Sequence, residues 1–235
     1  MNESDQTKKT KAFFEAAAAE WSSRYDRNDS MAARRSRFSD ALQIHFPEPA
    51  DILDFGCGSG DIARHLSAHG HRVTGCDLSV SMIQQAKAAD AQGTINWLAV
   101  EETSPQSNLP FDNSSFDAVI SSSVLEYVDA VDATLAEFGR VLKPGGWLLA
   151  TVPDMRSSLR RREVWLRRAA LIPVLSTILE HSRWREGAGY QRISINRWPA
   201  QKWHHILRAA GLEPAPVPDC TDPLVLLSAR KPKAS

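Results

Sequence analysis

Short apolar runs alternate with amphipathic stretches through the middle of the chain. DILDF (51–55), HRVTGCD (71–77), TINWLAV (94–100), SFDAVISSS (115–123) and GGWLLATVP (145–153) have the length and β-branched content of strands. Between them DIARHLSAHG, SVSMIQQAKAAD and AVDATLAEFGRVL repeat apolar positions at helical spacing. Strands that alternate with helices predict a mostly parallel sheet covered on both faces, so the expected fold is α/β. The fifth strand is expected to open after the breaker Pro144-Gly145-Gly146. Further along, QKWHHILRAAG reads as a helix stopped by Gly211, and EPAPVP and LVLLSAR as two last strands, which makes seven.

Two flanking regions break this rhythm. Lys8 to Trp21 is Ala-rich and apolar on one face, and Ser30 can cap a second helix that runs to about Phe46, before Pro47 and Pro49. Residues 155–195 hold nine arginines against three acids, a net of +6, so the remainder carries −6. This stretch reads as a helical cap inserted at the carboxyl edge of the sheet, where open α/β sheets bind ligands. The expected organisation is a helical lid over 1–49, a core over 50–154, a cap over 155–197, and the last helix and strands of the core over 198–235.

Composition narrows the function classes. With 28 Lys+Arg against 28 Asp+Glu, no uniform charge favours a nucleic acid partner. The longest apolar run, Ala169 to Leu179, is well short of the roughly 20 residues that cross a bilayer. The first residues lack the apolar segment of a secretory signal, and three cysteines make no disulfide framework or zinc spacing, so a reduced, cytoplasmic protein without a metal is expected.

The sharpest chemical signal is Asp54-Phe55-Gly56-Cys57-Gly58-Ser59-Gly60-Asp61, where the first strand turns into the following helix. Three glycines within five residues let the backbone bend and approach a ligand closely. Asp77 ends the next strand, where a carboxylate can accept both hydroxyls of a ribose. Together they point to an adenosine-containing cofactor. A dinucleotide fingerprint would place a glycine where Asp61 stands, and a phosphate-binding loop would continue into Gly-Lys-Ser/Thr, so a nicotinamide oxidoreductase and a nucleotide hydrolase are both disfavoured.

Four motifs in order, LDFGCGSG (53–60), DLSVSM (77–82), LPFDNSSFD (109–117) and LKPGG (142–146), make the chain resemble the class I S-adenosylmethionine methyltransferases, in particular the ubiquinone/menaquinone-biosynthesis-like group. The resemblance implies a Rossmann-like fold and S-adenosyl-L-methionine as cofactor. It implies that Asp54 and the Gly56, Gly58 and Gly60 loop hold the methionine portion, that Asp77 holds the ribose, and that Leu78 and Met82 pack the adenine. Glu101 stands where the family's adenine-reading acid falls, and Glu102 next to it would supply a backbone N–H. Ser121, expected after the fourth strand, would line the cofactor near its amino group, and Tyr25 of the lid would touch it.

The acceptor is a small molecule in this reading, with oxygen preferred as the methylated atom. Many relatives carry a histidine where this chain has Glu126 and Tyr127. Tyr127 suits an orienting donor, its pKa ordinarily near 10, and Glu126 reads as a cap or pairing residue of the next helix. His181 is the expected base, with Tyr190 beside it in the cap, while His204 and His205 read as surface residues. Two other functions fit the same residues. One is a membrane-surface methyltransferase of a quinone or lipid, docked peripherally on anionic membrane through the Arg-rich cap. The other is a cofactor-binding protein without activity that holds a protein partner.

Overall fold

The computed structural model describes residues 4–25, 29–100, 108–169, 190, 192–217 and 223–233. Seven strands form one sheet: β1 (Asp51–Phe55), β2 (Arg72–Asp77), β3 (Asn96–Ala99), β4 (Phe116–Ser122), β5 (Leu142–Pro153), β6 (Glu213–Pro214) and β7 (Leu224–Arg230). Their order is β3-β2-β1-β4-β5-β7-β6. All pairings from β3 to β5 are parallel, and β7 runs antiparallel to both β5 and β6.

The adjacent apolar pair Ile52-Leu53 of β1 follows from burial on both faces. Ile52 joins one core cluster with Leu66, Ile83 and Phe38, while Leu53 points the other way into a cluster with Leu135, Phe138 and Trp203. The first cluster is covered by α2 (Asp29–His45), α3 (Asp61–Ala68) and α4 (Val80–Ala89), and the second by α5 (Val131–Val141) and α7 (Ala200–Ala209). A strand covered on both sides cannot alternate apolar with polar.

Several boundaries differ from expectation for identifiable reasons. The first helix, α1 (Asp5–Tyr25), begins ahead of Lys8 because the Ser4 hydroxyl accepts the Thr7 N–H and caps it. β5 starts at Leu142, before Pro144-Gly145-Gly146 rather than after it; the breaker is absorbed as a register shift opposite Asp117. β6 is only two residues long, since Pro214 and Pro216 have no N–H to donate to a ladder. Of the expected cap, α6 (Ser158–Ala169) is helical. The Ala169–Leu179 run lies almost wholly outside the described residues. Among those described, no helix is long and apolar enough to cross a membrane.

Candidate functional site

The loop after β1 is strapped to the end of β2. Gly56 and Cys57 both donate their N–H to the Cys76 carbonyl, at 2.8 and 3.0 Å, and Gly58 donates to Asp77 Oδ2 at 2.8 Å. The other Asp77 oxygen accepts the Ser79 N–H at 2.9 Å. Two backbone donors from two loops therefore fix one carboxylate at the carboxyl edge of the sheet. Gly56 has φ +74°, and a Cβ there would fall 2.3 Å from Val124 Cγ2, so no larger residue fits. Gly60 has φ +80° and a Cβ there would meet the Trp97 ring at 2.3 Å. Trp97 is itself held by its indole N–H on Asp90 Oδ2.

Above this loop lies a cavity of about 500 Å³. Of the residues expected to hold a cofactor, Asp54, Gly56, Gly58, Asp77, Leu78 and Met82 line it together. Gly60 does not: it packs against Trp97 and Ala86 and shapes the loop from behind. Ser121 does not either. It sits within β4, fully buried, while the next two residues, Ser122 and Ser123, reach the cavity. Glu101, Glu102 and His181 lie outside the described residues, as does the Tyr25 side chain, whose backbone closes α1.

This half of the cavity holds polar groups whose partners are missing. Asp54 is 1% exposed, and its Oδ2 is buried without a hydrogen-bond partner; so are the hydroxyls of Ser122 and Ser123. Burial, and next the charge of Asp77, push the Asp54 carboxyl up to about 7, and the Ala63 N–H only partly offsets this. Burial also raises Asp77. Buried polar atoms without partners, on residues that line a cavity, fit a ligand that brings its own donors, such as an amine and two vicinal hydroxyls. Leu78 and Met82 supply the apolar wall that a planar base needs.

The other half is walled by aromatic rings from distant segments. Phe14 meets Tyr127 and Trp21 edge-on, each with centroids 5.5 Å apart, and Phe13 meets Tyr190 at 4.8 Å. Tyr127 and Tyr190, both expected near the acceptor, line the cavity. Burial and the neighbouring Glu126 raise Tyr127 well above the usual phenol range, so it stays a hydroxyl donor at neutral pH.

Glu126 was expected to cap or pair at a helix; instead it turns into the cavity while only 4% exposed. Its Oε2 accepts the Ser194 hydroxyl at 2.6 Å, and its carbonyl accepts the N–H groups of Ile195 and Asn196. Ser194 in turn accepts from Arg197 Nε at 3.0 Å, and Arg197 and Arg160 both donate to Glu163. Burial raises the Glu126 pKa, against the Ser194 hydrogen bond and the charges of Arg160 and Arg197. Glu163, Arg160, Arg197 and Arg34 also line this half; Arg197 reaches Glu163 from 34 residues away and Ser194 reaches Glu126 from 68, separations that a reading of the sequence does not bridge. Among the described residues, no group of three or more His, Cys, Asp or Glu could hold a metal ion.

Known proteins resemble this chain in sequence and in fold. A family model described as Methyltransferase domain matches residues 53–150. The ubiquinone/menaquinone biosynthesis C-methyltransferase UbiE of Paracoccus denitrificans is 32% identical over 206 residues, covering 80% of this chain and 78% of that protein. A malonyl-acyl-carrier-protein O-methyltransferase of Enterobacter lignolyticus is 31% identical over 131 residues, covering 55% of this chain but only 50% of that protein. The match spans 40% of the UbiE protein of Desulfotalea psychrophila, so the likeness to several relatives covers half their length or less. The crystal structure of Burkholderia thailandensis 1,6-didemethyltoxoflavin-N1-methyltransferase, with its acceptor and S-adenosylhomocysteine bound, superposes with a TM-score of 0.64 at 17% identity, over 97% of this chain and 89% of that one. At that identity it shows the shared fold.

Proposed function

Because the chain belongs to the class I S-adenosylmethionine-dependent methyltransferases of the UbiE-like group, we propose that it transfers a methyl group from S-adenosyl-L-methionine to a small-molecule acceptor, with oxygen as the preferred acceptor atom. One observation carries the reading: a single cavity joins Asp54, Asp77 and the glycine loop to Glu126, Tyr127 and Tyr190. The bound cofactor supplies a methyl group already activated on a sulfonium. The chain's own task is then to position the acceptor and keep water out.

Asp77 suits the ribose hydroxyls, since the Gly58 and Ser79 N–H groups hold it at the sheet edge while the carboxylate retains acceptor capacity. Asp54 and the Ser122 and Ser123 hydroxyls suit the polar methionine end. Across the cavity the aromatic wall excludes water, and Tyr127 donates to an acceptor oxygen. Glu126, anchored through one oxygen by Ser194, is suited to take the proton of a weakly acidic hydroxyl, because burial raises its basicity. A phenol or enol needs such help before it attacks, which favours an oxygen acceptor over an amine. His181 remains the alternative base proposed from the sequence. The free thiols Cys57 and Cys76 suit a reduced, cytoplasmic setting.

Calorimetric titration of S-adenosylhomocysteine tests the cofactor site. Binding in the micromolar range, about −8 kcal/mol, is expected, weakened about a hundredfold or more in Asp77→Ala, with no binding of reduced nicotinamide dinucleotide. Folded protein that ignores S-adenosylhomocysteine would sink the reading. Binding without turnover across a panel of phenols, enols and amines would favour a partner-holding role. A second reading, peripheral contact with anionic membrane, is favoured by Leu159, 49% exposed at the start of the Arg-rich α6. Salt-sensitive sedimentation with anionic vesicles, reduced in Leu159→Asp, is its test.

A further inference from the structure

The acceptor half carries more positive charge than its carboxylates use. Arg160 and Arg197 share Glu163, with N–O separations of 2.9 and 3.0 Å. Arg34 from α2 and Lys11 from α1 line the same cavity, both half-buried, and neither has a hydrogen-bonding or ion-pair partner among the described residues. The carboxylates that could answer them are otherwise placed. Asp61 is taken by Arg35 at 2.9 Å. Glu126 is held by the Ser194 hydroxyl. Asp129 lines the cavity but is exposed to solvent.

A half-buried guanidinium or ammonium without a counter-charge gives up hydration and receives nothing in return, unless a ligand brings the anion. Arg34 is also placed to act on the acceptor, since its charge reaches the Tyr127 hydroxyl. The same cavity is lined by Phe14, Tyr127 and Tyr190, a wall suited to a flat ring, with Trp21 packed on Phe14 and standing over Gly58. From this juxtaposition we infer that the acceptor is a planar aromatic acid, whose carboxylate pairs with Arg34 and Lys11 while its ring lies against the aromatic wall. Arg34 supplies the two-pronged contact that a carboxylate takes best, and Lys11 supplies a second positive charge from α1. The inference rests on the methyltransferase reading of the cavity, because it assigns the half left beside the cofactor.

The test uses the whole chain saturated with S-adenosylhomocysteine and titrated with 2-naphthoate and with its neutral amide, 2-naphthamide. The two probes share a ring and differ in charge. The carboxylate is expected to bind about tenfold or more tighter than the amide. In Arg34→Gln/Lys11→Gln this preference is expected to vanish, with the affinity for the amide unchanged. S-adenosylhomocysteine titration of each sample first reports folding and the cofactor site. Equal affinity for the two probes, binding of neither, or a preference that survives the double substitution overturns the inference while leaving the cofactor reading intact. Loss of S-adenosylhomocysteine binding in the unaltered chain instead strikes the reading beneath it.

Discussion

The two halves of the cavity are built by different means. The half proposed for the cofactor is mostly backbone geometry set by residues close in sequence: one glycine loop, the ends of β1 and β2, and the start of α4, between positions 54 and 82, joined by Ser122 and Ser123 at the end of β4. The acceptor half is side-chain chemistry assembled from α1, α2, the turn after β4, α6 and the segment around Tyr190 to Arg197. The first arrangement suits a ligand common to a whole family. The second leaves each wall free to change without disturbing the sheet, so the same core can serve many acceptors.

The largest effect that separates the halves lies in Asp54. Its carboxyl is raised from an ordinary 3.8 to about 7 by burial and by Asp77. Between those values the native chain holds a proton that the unfolded chain has released. Its contribution to stability is therefore full below about pH 4 and is lost as pH rises through about 7, a swing on the order of 4 kcal/mol at most. Denaturation curves from pH 4 to 8 are expected to show the ligand-free chain losing more stability over this window than Asp54→Asn. Saturating S-adenosylhomocysteine, whose ammonium group gives the ionised carboxylate a partner, is expected to flatten the difference. Parallel curves for the two proteins would mean that Asp54 is ionised without a ligand, and that this half is less strained than its buried oxygen suggests.

A smaller effect tests whether the glycine loop is packing as well as conformation. Gly60 and Gly70 both have positive φ, +80° and +91°, but a Cβ at Gly60 would meet Trp97 at 2.3 Å and one at Gly70 meets nothing within 4 Å. The backbone strain of an alanine is similar at the two sites. Gly60→Ala is therefore expected to destabilise by about 1–3 kcal/mol more than Gly70→Ala, read as a difference in chemical denaturation midpoints. Equal losses would show that the Trp97 ring yields, and that the loop is fixed by φ alone.

This contrast explains how much the sequence discloses. The succession of strands and helices, the glycine loop and Asp77 are legible because local features encode them: short apolar runs between stretches of helical spacing, a turn that needs glycine, a carboxylate at a strand end; Leu78 and Met82 come from the family resemblance alone. Ser121 illustrates the limit, since one step along β4 moves a side chain from the cavity to the interior of the sheet, and motif spacing does not fix that parity. Gly60 is legible as necessary but not for its reason, because its neighbour Trp97 is 37 positions away and on another strand. Glu126 looks like any acid before a helix until Ser194 and Arg197 are brought to it by the chain's return. The acceptor half consists almost wholly of such long-range meetings, so residue type alone says little about it.

The smallest effect reaches into that half directly. Ser194 accepts from Arg197 and donates to Glu126, so it passes part of a positive charge to the carboxylate. Removing the hydroxyl in Ser194→Ala takes away a donor that favours the ionised form, and the Glu126 pKa is expected to rise further. Carbon-13 NMR of the side-chain carboxyl, assigned through Glu126→Gln, reads the shift without any acceptor. The same hydrogen bond sets where the carboxylate becomes able to take a proton, so an acid limb in the pH profile of turnover is expected to move upward with it and to disappear in Glu126→Gln. A limb that stays in place in both variants, and disappears instead in His181→Ala, would assign the proton to the histidine and leave Glu126 as a brace that ties the turn after β4 to the segment around Ile195.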